Sequence, residues 1–173
     1  MSLSVTFVDQ IISEELISSL LRLNNFKKTI VKDSNGNPLG LSRSVRCREI
    51  ILKDSSIVNV LVEILQNANE SYKFNLDYNN HEFRILKYDA GDLAHFDWHD
   101  DVYYDNPQKT NALTLIIGLN DDYEGGELDV ETKIDGLKIT KNAGVIFPST
   151  MRHRVRHVTK GTRMVLAGWI RLA

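Results

Sequence analysis

The chain has 173 residues, 42% of them hydrophobic and 25% charged, with a formal net charge of -2 and one cysteine, Cys47. That length suits a single domain with its own core, and the near-neutral charge excludes a global pull toward nucleic acid or anionic membrane. One cysteine excludes an internal disulfide and any Cys-x-x-Cys zinc site. The opening MSLSVTFVDQ lacks a basic flank before a long apolar run, and no stretch is long enough for a membrane span. A cytoplasmic or otherwise soluble intracellular protein is expected.

In chain order, SEELISSLLRL predicts a first helix. Ser13 is its N-cap, Glu14 and Glu15 suit the positive end of the helix dipole, and Leu16, Ile17, Leu20 and Leu21 recur at helical spacing. SNGNPLG at 34–40 reads as a surface turn. SSIVNVLVEILQNAN predicts a second helix, with Ile57, Val58, Leu61, Ile64 and Leu65 on one stripe. After residue 70 the period changes to two, beginning with Tyr72, Phe74, Leu76 and Tyr78. EFRILKY, NALTLIIGL, GELDVE, LKIT, GVIFP, RHRVRHV and RMVLAGWIRL follow as short strands between glycine- and asparagine-rich turns, which argues for a sandwich or barrel. The chain reads as one α+β unit over 1–173, with helical support over about 1–70 and a barrel over about 71–173.

HFDWHDD, residues 95–101, concentrates the metal-binding chemistry. Residues two apart on a strand face the same way, so His95 with Asp97, or His99 with Asp101, can point at one ion, and parity does not choose between them. A third ligand has to come from elsewhere. His81 sits in the polar NNHE stretch and reads as solvated. On a strand through MRHRVRHV, His153, Val155 and His157 would share the inner face, opposite Arg152, Arg154 and Arg156. Two histidines and one carboxylate with positions left open suit Fe(II) and oxygen chemistry.

Three stretches then follow in order: KYDAGDLAHFDWHDD, LTLIIGLNDDYEGGELDV and AGVIFPSTMRHRVRHVTKGTRMVLAGW. Together they resemble the prolyl 4-hydroxylase-like branch of the 2-oxoglutarate- and Fe(II)-dependent dioxygenases over residues 83–172. The resemblance implies a distorted double-stranded β-helix, or jelly roll, with the N-terminal helices packed outside. It implies Fe(II), 2-oxoglutarate as co-substrate and O2, with ascorbate as an optional addition. Carried onto this sequence, it selects His99 and Asp101 by the aromatic lead-in Phe96-Asp97-Trp98, and His153 as the distal ligand. Arg163, ten residues beyond His153, matches the arginine that pairs with the far carboxylate of 2-oxoglutarate, and Tyr88 matches a tyrosine whose hydroxyl reaches the co-substrate. A planar guanidinium suits a two-oxygen carboxylate, and the Lys160-Gly161 turn would bring Arg163 onto the strand next to His153. Gly125 and Gly126 read as turn residues before Glu127, and Trp169 as core. The Gly91–His99 interval is longer than the family's common pattern, and His157 stands where proline is frequent.

The activity so implied is hydroxylation of a C–H bond, with a prolyl residue of a peptide or protein as the favoured substrate and free proline or another small molecule as the alternative. A non-catalytic cupin-like metal-binding module would need the pocket but not Arg163. The arginine face raises nucleic-acid binding as a further reading, which the net charge opposes. DVYYDNPQKTN, 101–111, has loop composition and is a candidate lid, with Tyr103 and Tyr104 as its contact residues.

Overall fold

A computed structural model of the chain describes residues 4–33, 35–38, 46–106 and 110–173. The elements are β1 (Thr6–Asp9), α1 (Glu14–Leu21), β2 (Lys27–Lys28), β3 (Arg48–Ile51), α2 (Ser55–Tyr72), β4 (Leu76–Asp89), β5 (Phe96–His99), β6 (Asn111–Gly118) and β7 (Glu124–Gly125). They continue with β8 (Leu128–Val130), β9 (Ile134–Leu137), β10 (Ala143–Pro148), β11 (His153–Val155), β12 (Val158–Lys160) and β13 (Thr162–Leu172). A large sheet runs in the order β1-β10-β6-β13-β4-β3-β2, a smaller one runs β5-β11-β8-β9, and β12 pairs with β7. Every ladder between these strands is antiparallel.

The large sheet separates two cores. Strand parity sends Phe83, Ile85, Leu113, Leu115, Ile117, Leu166 and Ile170 to its outer face, against Ile17 and Leu20 of α1 and Leu61 and Leu65 of α2. Leu86, Tyr88, Ile116, Val145, Phe147 and Val165 point the other way and meet Leu128, Val130 and Val155 of the small sheet. Each fully buried aliphatic side chain in either layer stabilises the fold by about 1.5–3 kcal/mol. Gly168 is needed on the outer face, since a Cβ there would lie 2.3 Å from the Phe83 ring.

The helices form where caps and periodicity place them. Ser13 Oγ accepts from the Leu16 amide at 3.1 Å, and Asp54 Oδ1 accepts from the Ser56 amide at 2.9 Å. The alternation expected from Tyr72 onward starts later. Tyr72 closes α2, Lys73 turns left-handed at φ 60, and the strand begins at Leu76. The Tyr72 hydroxyl then donates to the Ile146 carbonyl oxygen at 2.8 Å, tying the helix end to β10. The first third of the chain is also not purely helical, because β1 and β3 pair with β10 and β4 of the large sheet. His81 lies within β4 rather than in a solvated turn, in register with Ile170. Of the turn expected over 34–40, residues 34, 39 and 40 lie outside the described residues. Within the rest, Asp33 Oδ1 accepts from the amides of Asn35 and Asn37 at 2.9 and 2.8 Å. Among the described residues no helix is long and apolar enough to cross a membrane.

Candidate metal centre

The small sheet sets His153 directly opposite His99 in the β11–β5 register. Asp101 follows two residues after His99, where its amide donates to the Ser149 carbonyl oxygen at 2.9 Å. One ligand atom from each of His99, Asp101 and His153 lies within 4.8 Å of the others. His99 Nε2 is 3.7 Å from one Asp101 oxygen and His153 Nε2 is 3.4 Å from the other. The remaining ring nitrogens face carbonyl oxygens: His99 Nδ1 donates to Asp97 at 2.7 Å and His153 Nδ1 to Met151 at 3.0 Å. A carbonyl only accepts, so each Nδ1 carries a proton and Nε2 is the nitrogen that faces the shared space, as a metal ligand requires. Phe96 stacks on His99 at 3.7 Å and Phe147 meets His153 edge-on at 4.9 Å, which fixes the ring planes.

Asp101 is held as an anion. Burial pushes its carboxyl up, and the adjacent His153 and His99, with Trp169 and Thr114 beside them, outweigh that and hold it below the usual carboxylate range. Thr114 Oγ1 donates to Asp101 at 2.8 Å and shares a 2.9 Å contact with Ser149 Oγ. Asn111 Nδ2 donates to the Asp101 carbonyl at 2.8 Å. Thr114 and Asn111 were not singled out from the sequence, and Ser149 entered only as part of the stretch AGVIFPSTM. The available signal was the polar pair Asn111 and Thr114 in β6, whose remaining residues are apolar or glycine.

The overlapping pair is arranged differently. His95 Nε2 is 3.9 Å from an Asp97 oxygen, the Asp97 side chain is 58% exposed, and the His95 ring lies tilted against His157 with centroids 4.1 Å apart. That pair belongs to no three-residue cluster of ligand spacing among the described residues. His157 itself is exposed, because β11 stops at Val155 and the chain bends before β12. The shared inner face expected for His153 and His157 therefore ends one turn early.

Arg163 is in the large sheet, not on the strand beside His153. β13 pairs with β4 and β6, and Arg163 is in register with Tyr88. The arginine is 1% exposed, its guanidinium lies 5.0 Å from the Tyr88 ring, and none of Nε, Nη1 and Nη2 has a hydrogen-bond partner. Gly126, at φ +69, makes room for it, because a Cβ there would lie 2.8 Å from Arg163 Cδ. A buried, unpaired guanidinium is costly unless an anion completes it, so this pocket fits a carboxylate. The Tyr88 phenol is raised well above its ordinary value by burial and by Cys47, with Arg163 opposing, and burial pushes the Cys47 thiol up to about 11.

A cavity of about 380 Å³ opens beside Asp101. Its floor includes Trp169 and Arg84, whose guanidinium donates to Glu49 at 2.8 Å, pairs with Glu82 and lies 5.5 Å from the Trp169 ring. Tyr103 and Tyr104 form part of its wall, with Tyr104 73% exposed at the mouth. Residues 107–109 of the expected lid lie outside the described residues.

The three arginines flanking His153 are largely neutralised within the fold. Asp129, 2% exposed, accepts from Arg154 Nε at 2.6 Å, Arg156 Nε at 2.9 Å and the Gly136 amide at 2.6 Å. Arg152 reaches Glu131 at 3.8 Å, and Arg152 and Arg154 both sit over the Trp98 ring. Burial pushes the Asp129 carboxyl up, but these hydrogen bonds bring it down to about 2. Its depressed value stabilises the fold above the unfolded value near 4, and that contribution disappears as pH falls toward 2. We expect up to about 2 kcal/mol from this group, reduced by the solvent around the two arginines. Denaturant midpoints should show Asp129→Asn well below the parent at pH 6 and the gap closing by pH 2; a gap independent of pH would refute the assignment.

The family model described as the 2OG-Fe(II) oxygenase superfamily matches residues 83–171, just over half of the chain. The chain belongs to this superfamily. Membership implies Fe(II), 2-oxoglutarate and O2 as its cofactor and co-substrates. A PKHD-type hydroxylase of Gloeothece citriformis is 35% identical over 101 residues, covering 57% of this chain and 39% of that protein. The chain spans well under half the length of the curated relatives it matches. Among solved structures, a Pseudomonas putida prolyl-4-hydroxylase superposes with a TM-score of 0.73 at 15% identity, over 99% of this chain and 94% of that one. The viral collagen prolyl hydroxylase of Paramecium Bursaria Chlorella virus-1, in its 2OG complex, gives 0.71 at 17% identity over 98% and 96%. These likenesses identify the fold as the jelly roll of 2-oxoglutarate oxygenases.

Proposed function

We propose that this protein is a 2-oxoglutarate- and Fe(II)-dependent hydroxylase in which His99, Asp101 and His153 hold the metal, while Arg163 and Tyr88 hold the co-substrate. When bound, iron and 2-oxoglutarate supply the oxidative decarboxylation to succinate and CO2 that delivers one oxygen atom of O2 to a C–H bond. The protein's residues provide placement. Asp101 would bring the negative charge to the metal, and His99 and His153 would bring two neutral nitrogen donors. Arg163 supplies parallel N–H donors to a carboxylate, and the apolar surroundings keep water from competing.

The observation that carries this reading is the guanidinium of Arg163, buried without a hydrogen bond in the interior that also holds the two-histidine, one-carboxylate cluster. A metal-binding module without 2-oxoglutarate leaves that charge unexplained. The test is anaerobic addition of Fe(II) and 2-oxoglutarate to the purified protein. We expect the weak visible charge-transfer band of a keto acid chelated to iron, and then succinate formation on admitting O2, with ascorbate present to keep the iron reduced. A folded protein that gives no band would overturn the reading.

For the substrate we propose a prolyl residue within a peptide or protein. The structural neighbours named prolyl-4-hydroxylase and collagen prolyl hydroxylase favour the prolyl ring, and a cavity open at the exposed Tyr104 favours a chain over a free amino acid. Tyr103 is braced by Arg171, 5.6 Å from its ring, and by its amide, which donates to Thr110 Oγ1 at 2.9 Å. Replacing Tyr103 and Tyr104 together with alanine should weaken peptide affinity about tenfold or more, as loss of two aromatic contacts at a binding site does. Fe(II) affinity should stay the same. Peptide affinity that stays within twofold removes these tyrosines from the substrate site.

A further inference from the structure

Arg163 is held by packing and by the face of the Tyr88 ring, 5.0 Å from its guanidinium, with Gly126 against its Cδ. Contacts of that kind fix where the side chain lies but not the rotation of its flat donor fork, and a long side chain keeps considerable freedom unless a directional bond removes it. A carboxylate uses two of the five N–H donors, and the others still need an acceptor.

Tyr123 stands at that position. It is 3% exposed, and the point where a Cβ of Gly126 would sit is 3.5 Å from Tyr123 Cε2 and 2.8 Å from Arg163 Cδ, so both side chains converge on the one residue that has none. The phenol proton is already committed, donated to the Ile139 carbonyl oxygen at 3.0 Å. The oxygen is therefore left with lone pairs only, and can serve a neighbouring donor only as an acceptor. Lys138 clamps the same residue from another side, with Nζ 4.8 Å from the ring and donating to the Tyr123 carbonyl at 2.9 Å. Burial raises the Tyr123 hydroxyl above its ordinary value while the Arg163 charge and a polar contact with its side chain pull the other way, so the two groups sense each other although their geometry falls short of a full hydrogen bond.

We propose that Tyr123 is the positioning residue of Arg163: its phenol oxygen accepts the guanidinium N–H that a bound carboxylate leaves over, and so sets the plane of the fork. This rests on the functional reading above, in which Arg163 binds 2-oxoglutarate. Tyr123 touches neither the co-substrate nor the metal in this assignment and acts only through the arginine.

The test is calorimetric titration of 2-oxoglutarate into the full chain loaded with Mn(II), for the parent, Tyr123→Phe, Arg163→Lys and the double variant. Tyr123→Phe should weaken 2-oxoglutarate by about tenfold to a hundredfold, the effect of one lost hydrogen bond to a charged group. Mn(II) affinity should change less than twofold. In the Arg163→Lys background the same substitution should have no further effect, because the fork it orients is gone. In turnover the loss should appear in KM for 2-oxoglutarate, with kcat nearly unchanged at saturation. Unchanged 2-oxoglutarate affinity, an equal loss in both backgrounds, or a parallel loss of Mn(II) would each overturn the proposal while leaving the functional reading intact. A parent protein that takes up Mn(II) but not 2-oxoglutarate would overturn both.

Discussion

Asp101→Ala should abolish Fe(II) binding and lower turnover by on the order of a thousandfold, whereas Asp97→Ala should leave both within about twofold. The contrast follows from where each carboxylate sits. Asp101 is enclosed by His99 Nε2, His153 Nε2 and the Thr114 hydroxyl. It is also the only anionic group of the three-residue cluster, so its removal leaves two neutral imidazoles and a site too weak for a divalent ion. Asp97 contributes only its backbone carbonyl, which orients His99, and that survives replacement by alanine. Equilibrium dialysis against Fe(II) under nitrogen separates the two variants. Metal binding lost at Asp97 and kept at Asp101 would assign the centre to the other His-x-Asp pair.

Arg163→Met should push stability and co-substrate binding in opposite directions. The arginine is buried with all three guanidinium nitrogens unpaired, a state that burdens the folded protein in the absence of an anion. A methionine of similar length keeps contact with the Tyr88 ring and Gly126 and removes the charge. Without ligand, the variant should be more stable than the parent by about 1–3 kcal/mol. It should also bind 2-oxoglutarate at least about a hundredfold more weakly, as loss of a desolvated ion pair implies. Thermal melts with and without 2-oxoglutarate read both effects: the parent should gain midpoint on adding ligand and the variant should not. A variant that is less stable alone and still responds to 2-oxoglutarate would mean that the guanidinium serves the fold.

Short-range features of the chain were legible from sequence to the extent that they depend on neighbours in the chain. Ser13 caps α1 because a cap is decided within four residues, and short β-favouring apolar runs revealed β6, β10 and β13 because each is buried along most of its length. The two-residue spacing of His99 and Asp101 and the position of His153 could be read, and the fold brings all three together. What was missed depends on tertiary pairing. β1 and β3 are four residues each and exist because β10 and β4 offer them edges. Arg163 was expected beside His153 because the turn at Gly161 seemed to fold one strand onto its predecessor; the chain instead passes there from β12 into the large sheet. The arginines around His153 looked like a basic face because Asp129, which takes two of them, is more than twenty residues away in sequence.

The parity of β13 restricts how this protein can change in length. Met164, Leu166 and Ile170 face the helices, while Arg163, Val165, Ala167 and Trp169 face the interior. One residue added inside the strand would rotate everything beyond it by half a turn, exchanging the side chains of the two cores and sending Trp169 toward the helix layer. Insertions of a single residue are thus confined to the turns, and within β13 only even steps preserve the molecule's inside and outside.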